Sequence, residues 1–272
     1  MNQFIATIIA SLSRRVPPFL KDRLLEIPMV RYLRDLAYKG SRLQPLRVPG
    51  LPWSLYLYIN LKHPGERLFV TRDHEPHVVQ WALNAVKPGW IVLDIGAFIG
   101  FYAVLFGKLV GPEGRVIAFE PIESLKNRIL SSSIINNLTN VVVETVAIGC
   151  ECREVEFWVH EDGTGGLGTS SSIRGEAGKR PTMVKMITID QYVHIGALPR
   201  VDLIKIDVEG AELDVLLGAQ ETLKKFRPVV LVEFNSTEDR VRSEKLLRDV
   251  GYMCKELGRS SYGVHIVAIR QE

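Results

Sequence analysis

The run IVLDIGAFIGFYAVLFGKLVGP, residues 91–112, decides the fold. Its first six residues are apolar except for Asp94 and read as a strand buried on both faces. A helix of about ten residues (Gly100–Val110) follows and is stopped by Gly111-Pro112. RVIAFEP (115–121) reads as the next strand, Glu123–Asn136 as a helix, and NVVVETVAI (140–148) as a third strand. Strand–helix–strand–helix–strand predicts an α/β fold with a parallel sheet and right-handed crossovers. Ligands of such sheets bind beyond the carboxyl ends of the strands.

Upstream of this run, SLYLYINL (54–61) and ERLFVTRD (66–73) read as short strands and Glu75–Val86 as a helix. Downstream, Glu154–His160 reads as a strand, followed by the Gly/Ser-rich stretch 161–181 and the strand MVKMITI (183–189). Together they predict a β-hairpin-like insertion at about 150–189. The alternation resumes with VDLIKIDVEG (201–210), a helix to about Lys225 and the strand PVVLVEFN (228–235). A helix over Glu238–Val250 and two strands, at 251–256 and 263–270, complete a domain running over 51–272.

The 272 residues are 46% hydrophobic and 24% charged, which excludes a disordered or collagen-like chain. Three cysteines without a regular framework argue against a disulfide-stapled secreted protein and for a cytoplasmic setting. Cys150 and Cys152 have no second pair, so buried thiols are favoured over zinc ligands. The formal charge of +3 conceals an asymmetry. Residues 1–50 carry nine Lys/Arg and three Asp/Glu, leaving 25 bases against 28 acids in the rest.

In this basic arm, Phe4, Ile5, Ile8, Ile9 and Leu12 form a helical apolar face. The bases follow that stretch, the wrong order for a secretory signal, and it is too short to span a bilayer. Residues 1–23 could lie on an anionic membrane surface at the inner face, or pack on the domain or a second subunit of a homo-oligomer. Nucleic acid is disfavoured, since stacking aromatics are not interleaved with the bases.

The loop D-I-G-A-F-I-G contains Asp94, Gly96, Ala97 and Gly100, a tight turn at a helix N-terminus. It is neither G-x-G-x-x-G nor a phosphate-cradling Walker loop. Glu120, at the end of the second strand, suits two ribose hydroxyls. S-adenosylmethionine (SAM) and nicotinamide cofactors both remain open at this point.

VLDIGAFIGFYA, VIAFEP, NNLTNVVVETVAIG, LIKIDVEGAELDVLLGAQETL and RPVVLVEFN occur in order over about residues 75–236. In this order and spacing the chain resembles the FkbM-type family of SAM-dependent methyltransferases, with K-I-D-V-E-G-A-E the most specific segment. The resemblance implies a class I, Rossmann-like, mainly parallel seven-stranded sheet with helices on both faces and an antiparallel last strand. It also implies that Asp94, Gly96, Ala97 and Gly100 line the methionine and ribose end of SAM. Glu120 would take the ribose hydroxyls, and Val146 and Ala147 would lie beside the adenine. Phe98 stands where the family commonly has Asn.

Methyl transfer to a hydroxyl requires the acceptor to be positioned and to lose its proton. Asp207, Glu209 and Glu212 cluster after the fourth strand, and Glu233 and Asn235 at the end of the fifth. Asp207 is the first choice for general base or acceptor-orienting residue and Glu209 the second. Mg²⁺ on Asp207, Glu233 and Asn235 is a further option, weighed against capping and ion pairing. Lys205 could pair with Asp207 or Glu209. His160, His194 and His265 are scattered and read as surface or loop histidines. Thr169, Ser170 and Ser171, in the stretch 161–181, could form part of a lid over a polar substrate.

The sequence therefore favours O-methylation of a hydroxyl on a sugar, glycolipid or related small molecule. N-methylation or a polyketide-type acceptor is the alternative within the class. A nicotinamide-dependent oxidoreductase is disfavoured by the Gly spacing, and a non-catalytic module by the intact acidic positions.

Overall fold

A computed structural model of the chain describes residues 42–71, 74–160, 179–260 and 263–270. The helix expected in the basic arm and the lid expected around Thr169, Ser170 and Ser171 lie outside the described residues. The chain divides into two compact units, one ending at Pro76 and the other beginning at His77.

In the first unit, β1 (Gln44–Arg47) pairs antiparallel with β2 (Tyr56–Ile59), and α1 (Pro64–Thr71) follows. The segment ERLFVTRD was expected to be a strand, and its residues through Thr71 are helical instead. Pro64 occupies the first helical position, where its missing N–H costs nothing. Glu66, Phe69 and Val70 are buried at i, i+3 and i+4. The inward Glu66 accepts the Asn60 backbone N–H at 2.7 Å.

The second unit holds α2 (Pro76–Ala85, whose first residue closes the first unit), β3 (Ile91–Ile95), α3 (Phe101–Val110), β4 (Arg115–Phe119), α4 (Glu123–Ile135) and β5 (Val141–Glu144). The insertion contributes β6 (Ala147–Ile148), β7 (Arg153–His160) and β8 (Lys179–Ile187). After it come α5 (Ile189–Ile195), β9 (Leu203–Ile206), α6 (Glu212–Leu217), α7 (Gln220–Phe226) and β10 (Val229–Phe234). The unit ends with α8 (Thr237–Asp249), β11 (Tyr252–Arg259) and β12 (Val264–Arg270).

The main sheet has seven strands in the order β11-β12-β10-β9-β3-β4-β5. Neighbours from β10 to β5 are parallel, and β12 runs antiparallel to both β10 and β11. This is the expected mainly parallel sheet with its antiparallel last strand. The order reverses at β3, whose neighbours are β4 on one side and β9 on the other, so the crevice opens there.

Alternation along each strand sorts the two faces. Leu93, Ile95, Ile117, Phe119, Ile204, Ile206, Val230 and Val232 join one core with residues of α5–α8. The intervening Val92, Asp94, Val116, Ala118, Leu203 and Lys205 turn to the other face, where Lys205 meets Tyr102 of α3. Two polar residues are thus built into a buried strand face.

Two expected elements are divided. NVVVETVAI is not one strand: Val141–Glu144 lies in the main sheet, while Ala147–Ile148 pairs with β8 in a separate sheet of order β6-β8-β7. The chain changes sheets at Thr145–Val146. In the insertion, β7 pairs antiparallel with β8 from Arg153↔Met186 to His160↔Lys179, as a hairpin requires.

The helix expected up to Lys225 breaks at Gly218. A Cβ there would lie 2.1 Å from the Gly149 carbonyl oxygen, so this glycine lets the helix end press onto the β6–β7 connection. Asp190 then caps α7, accepting the Glu221 and Thr222 N–H groups at 3.0 and 2.8 Å. Gly218→Ala is therefore expected to destabilise the unit by about 1–3 kcal/mol, read from the midpoint of urea unfolding. An unchanged midpoint would show that the helix break does not depend on this contact.

Candidate functional site: an acid-lined crevice at the strand reversal

The loop after β3 is tied down first through its backbone. Gly96 and Ala97 both donate N–H groups to the Phe119 carbonyl at 3.1 Å, tying the loop to the end of β4. Gly96 has φ +79°, and a Cβ on it would lie 1.9 Å from the Asp207 carbonyl oxygen. Glycine is required here for conformation and for space. Gly100 (φ +88°) begins α3, with the Ile129 side chain 2.8 Å from where its Cβ would be.

Phe98 also has positive φ, at 51°. This region costs a non-glycine residue roughly 1–2 kcal/mol, and Asn tolerates it best. That explains an Asn preference at the position without any ligand contact. The Phe98 N–H, so aimed, donates to Glu120 Oε2 at 3.0 Å. Ile122 N–H donates to Glu120 Oε1, also at 3.0 Å. Glu120 is thus buried and oriented at the expected strand end.

Asp94 is fully buried on β3. Among the described residues neither of its oxygens meets a hydrogen-bond donor, and its nearest charge is Lys205 Nζ at 3.6 Å. The same Nζ lies 3.0 Å from Asp207 Oδ2 and 4.8 Å from the centroid of the Tyr102 ring. Lys205 is only 5% exposed, so it is a buried ammonium shared between two carboxylates. Its partner among the sequence options is Asp207.

The remaining acids separate. Glu209 has φ 56° and accepts the Asn235 side-chain N–H at 2.8 Å. Glu212 is buried and accepts the Gly210 N–H at 2.9 Å, holding the turn ahead of α6. Glu233 is buried on β10, accepting the Ser260 hydroxyl at 2.9 Å and lying 3.6 Å from His265 Nε2. Asp207, Glu233 and Asn235 therefore each face a different partner and form no shared oxygen cage in this structure. Of the two residues expected beside the adenine, Val146 packs against the main core and Ala147 is buried with Val155 and Met186. Cys150 and Cys152 are exposed rather than buried.

His265 was expected at the surface and is 3% exposed instead. It sits opposite Glu233 in the β10–β12 register and contacts His77 Nε2 of α2 at 3.0 Å. Only this long-range pairing buries it. His194 is exposed, and His160 ends β7.

Burial raises several of these carboxyls. Desolvation pushes Asp94 up to about 6 against the pull of Lys205. It pushes Glu120 up to about 8 against two backbone N–H groups, and Glu212 also rises by burial.

The methyltransferase FkbM domain family matches residues 94–263 of this chain. The chain is 26% identical over 190 residues to the hexuronic acid methyltransferase AglP of Haloferax volcanii, covering 68% of this chain and 73% of AglP. It is 29% identical over 165 residues to the 2-O-methyltransferase NoeI of Sinorhizobium fredii, covering 56% and 66% respectively. Its match to the AMB antimetabolite synthetase AmbE of Pseudomonas aeruginosa, 29% identical over 184 residues, spans 8% of that much longer protein. A solved methyltransferase FkbM from Methylobacillus flagellatus superposes with a TM-score of 0.48 at 14% identity, covering 74% of this chain and 52% of that one.

The raised carboxyls make stability pH-dependent. Between the unfolded value near 4.5 and the folded value near 8, Glu120 binds more proton in the native state, so stability falls as pH rises across that window. The slope is at most about 1.4 kcal/mol per pH unit for each such group. Glu120→Gln is expected to flatten the fall and raise the urea midpoint at pH 8. A wild-type slope in the variant would contradict the buried, raised carboxyl.

Proposed function

Because the chain belongs to the FkbM methyltransferase family and carries a SAM-dependent methyltransferase domain, we propose that it methylates a hydroxyl of a sugar, glycolipid or related small molecule. The observation that carries this reading is the buried Lys205 holding Asp207 beside the glycine loop. Two curated relatives support a sugar-like acceptor by their names, hexuronic acid methyltransferase and 2-O-methyltransferase.

The residues present fit SAM. Glu120 is buried with its carboxylate fixed by two N–H groups, the geometry wanted for ribose hydroxyls. Asp94 offers buried oxygens that lack a hydrogen-bond donor, and Gly96 clears backbone on the crevice side. Asp94, Gly96, Ala97 and Gly100 would line the methionine and ribose end, with Val146 and Ala147 at the adenine. When bound, SAM supplies a methyl group on a positively charged sulfur.

The rest falls to the chain's own side chains. Asp207 is 25% exposed, enough to meet an acceptor hydroxyl at Oδ1 while Oδ2 faces Lys205. It would orient that hydroxyl and accept its proton. Glu209, held by Asn235, would hydrogen-bond a neighbouring hydroxyl. With Lys205 fixing one oxygen, the acid loses little rotational freedom on binding, and positioning contributes to rate. The option of Mg²⁺ gains no support from these contacts.

The basic residues of 1–23 add a second element, contact with an anionic membrane surface. Among the described residues no helix is long and apolar enough to cross a membrane. Deleting residues 1–15 is expected to reduce sedimentation with phosphatidylglycerol vesicles, and equal sedimentation would favour packing on protein.

Asp207→Asn is expected to lower kcat by about 10²-fold or more with S-adenosylhomocysteine affinity nearly unchanged. Glu120→Gln is expected to weaken that affinity by about 1–3 kcal/mol in calorimetry. In the wild type the affinity should rise with pH toward 8, because ribose hydroxyls donate to the ionised carboxylate. Full turnover by the Asn variant would remove Asp207 from the reaction.

A further inference from the structure

We propose that the cavity at the carboxyl end of β10 is the acceptor subsite, shaped for a neutral sugar ring. The proposal rests on the sugar-acceptor reading above and adds where the ring sits and which side chains hold it.

The cavity measures about 430 Å³ and is lined by Phe234, Asn235, Thr237, Arg240, Glu244 and Arg259 among others. Small-molecule sites occupy roughly 300–1,000 Å³ and combine apolar walls with a few placed polar groups. Here Phe234, Val241 and Val264 supply apolar surface for the carbon face of a ring. Asn235 and Thr237 supply polar groups in the lining.

The charged groups around the cavity are already engaged with one another. Arg240 donates to Glu244 at 2.7 Å and to Glu256 at 3.0 Å, and Arg259 donates to the other Glu256 oxygen at 3.0 Å. Arg248 pairs with the other Glu244 oxygen, so every oxygen of the two carboxylates is engaged by a guanidinium before any ligand arrives. A phosphate would have to compete with both glutamates. A neutral polyol can instead use the remaining donors and lone pairs of a network already held in place, at low ordering cost.

The backbone supports the same arrangement. A register shift between Glu256 and Gly258 places a bulge just ahead of Arg259, a device that re-aims side chains. A Cβ on Gly263 would lie 2.5 Å from Asn235 Oδ1 and 2.7 Å from the Phe234 carbonyl, so this lining position admits no side chain.

The cavity also adjoins the proposed chemistry. β10 lies beside β9 with Val232 opposite Ile206, and Asp207 follows Ile206 directly. Adjacent strands are about 4.8 Å apart. Asn235 lines the cavity and donates to Glu209, linking a ring held there to the acids after β9.

The test uses Val241→Trp, which fills the cavity from a helix position already 63% exposed, and Arg259→Ala as a second variant at a 68% exposed side chain. The full chain is assayed with SAM and a panel of methyl glycosides (glucoside, mannoside, fucoside) by mass spectrometry, and with S-adenosylhomocysteine by calorimetry. Both variants are expected to raise KM for the methylated glycoside about tenfold or more, with kcat and S-adenosylhomocysteine affinity close to wild type. An unchanged KM in both variants would overturn the subsite and leave the sugar reading standing. Loss of S-adenosylhomocysteine affinity in Val241→Trp would assign the cavity to the cofactor and overturn the proposal. Wild type that binds S-adenosylhomocysteine but neither methylates nor shows saturation transfer to any glycoside would overturn the sugar reading and the subsite with it.

Discussion

The ends of β3 and β9 meet at a point with no spare volume. Gly96 must take a left-handed φ, and a Cβ on it would overlap the Asp207 carbonyl oxygen at 1.9 Å. Asp207 in turn donates its N–H to Ile95 at 3.0 Å. The glycine loop and the peptide carrying Asp207 are therefore one mechanical piece. Because the strand order reverses at this seam, the crevice opens directly above it. The loop that turns at Gly96 reaches Glu120 through Phe98, so the placement of this acid depends on the same contact.

Above that seam the charges are unbalanced. One buried ammonium, Lys205, serves two carboxylates, Asp94 and Asp207. Buried ion pairs are often no more stabilising than well-packed apolar residues of similar volume. The use of Lys205 thus lies in where it holds the acids, with Tyr102 beneath it and Asp94 locked in the sheet. Asp94 and Glu120 are both raised by desolvation, Asp94 against the pull of Lys205 and Glu120 against two backbone N–H donors.

What was legible in the sequence followed from local periodicity. The strands at 91–95, 115–119, 203–206 and 229–234 are apolar runs because both faces are covered, and the glycine loop and Glu120 sit at their ends. ERLFVTRD misled because Glu66 points inward, so the helical set Glu66, Phe69, Val70 does not look apolar. NVVVETVAI misled because the strand-like pattern continues through a change of sheet. The pairs that shape the acceptor side join distant residues: His77 with His265 across 188 positions, and Glu209 with Asn235 across 26. No spacing rule carries such contacts. Lys205 was visible as a possible partner of Asp207, but its second contact with Asp94 needed the β3–β9 register.

The buried polar chain on the β10–β12 side has a consequence for the cavity beside it. Glu233 holds the Ser260 hydroxyl, and Ser260 exchanges hydrogen bonds with Gly263 through N–H to carbonyl at 2.9 Å and N–H to Oγ at 2.9 Å. His265 and His77 close the other side of Glu233. The turn joining β11 to β12 is thereby fastened to the residue that precedes Phe234 and Asn235, and Arg259 lies immediately before that turn. Side chains that recognise a ligand bind best when their support is already ordered. On the subsite proposed above, sequence change confined to exposed Thr237, Val241 and Arg259 would alter which ring is held, while Glu233, Ser260 and Gly263 keep the cavity's frame.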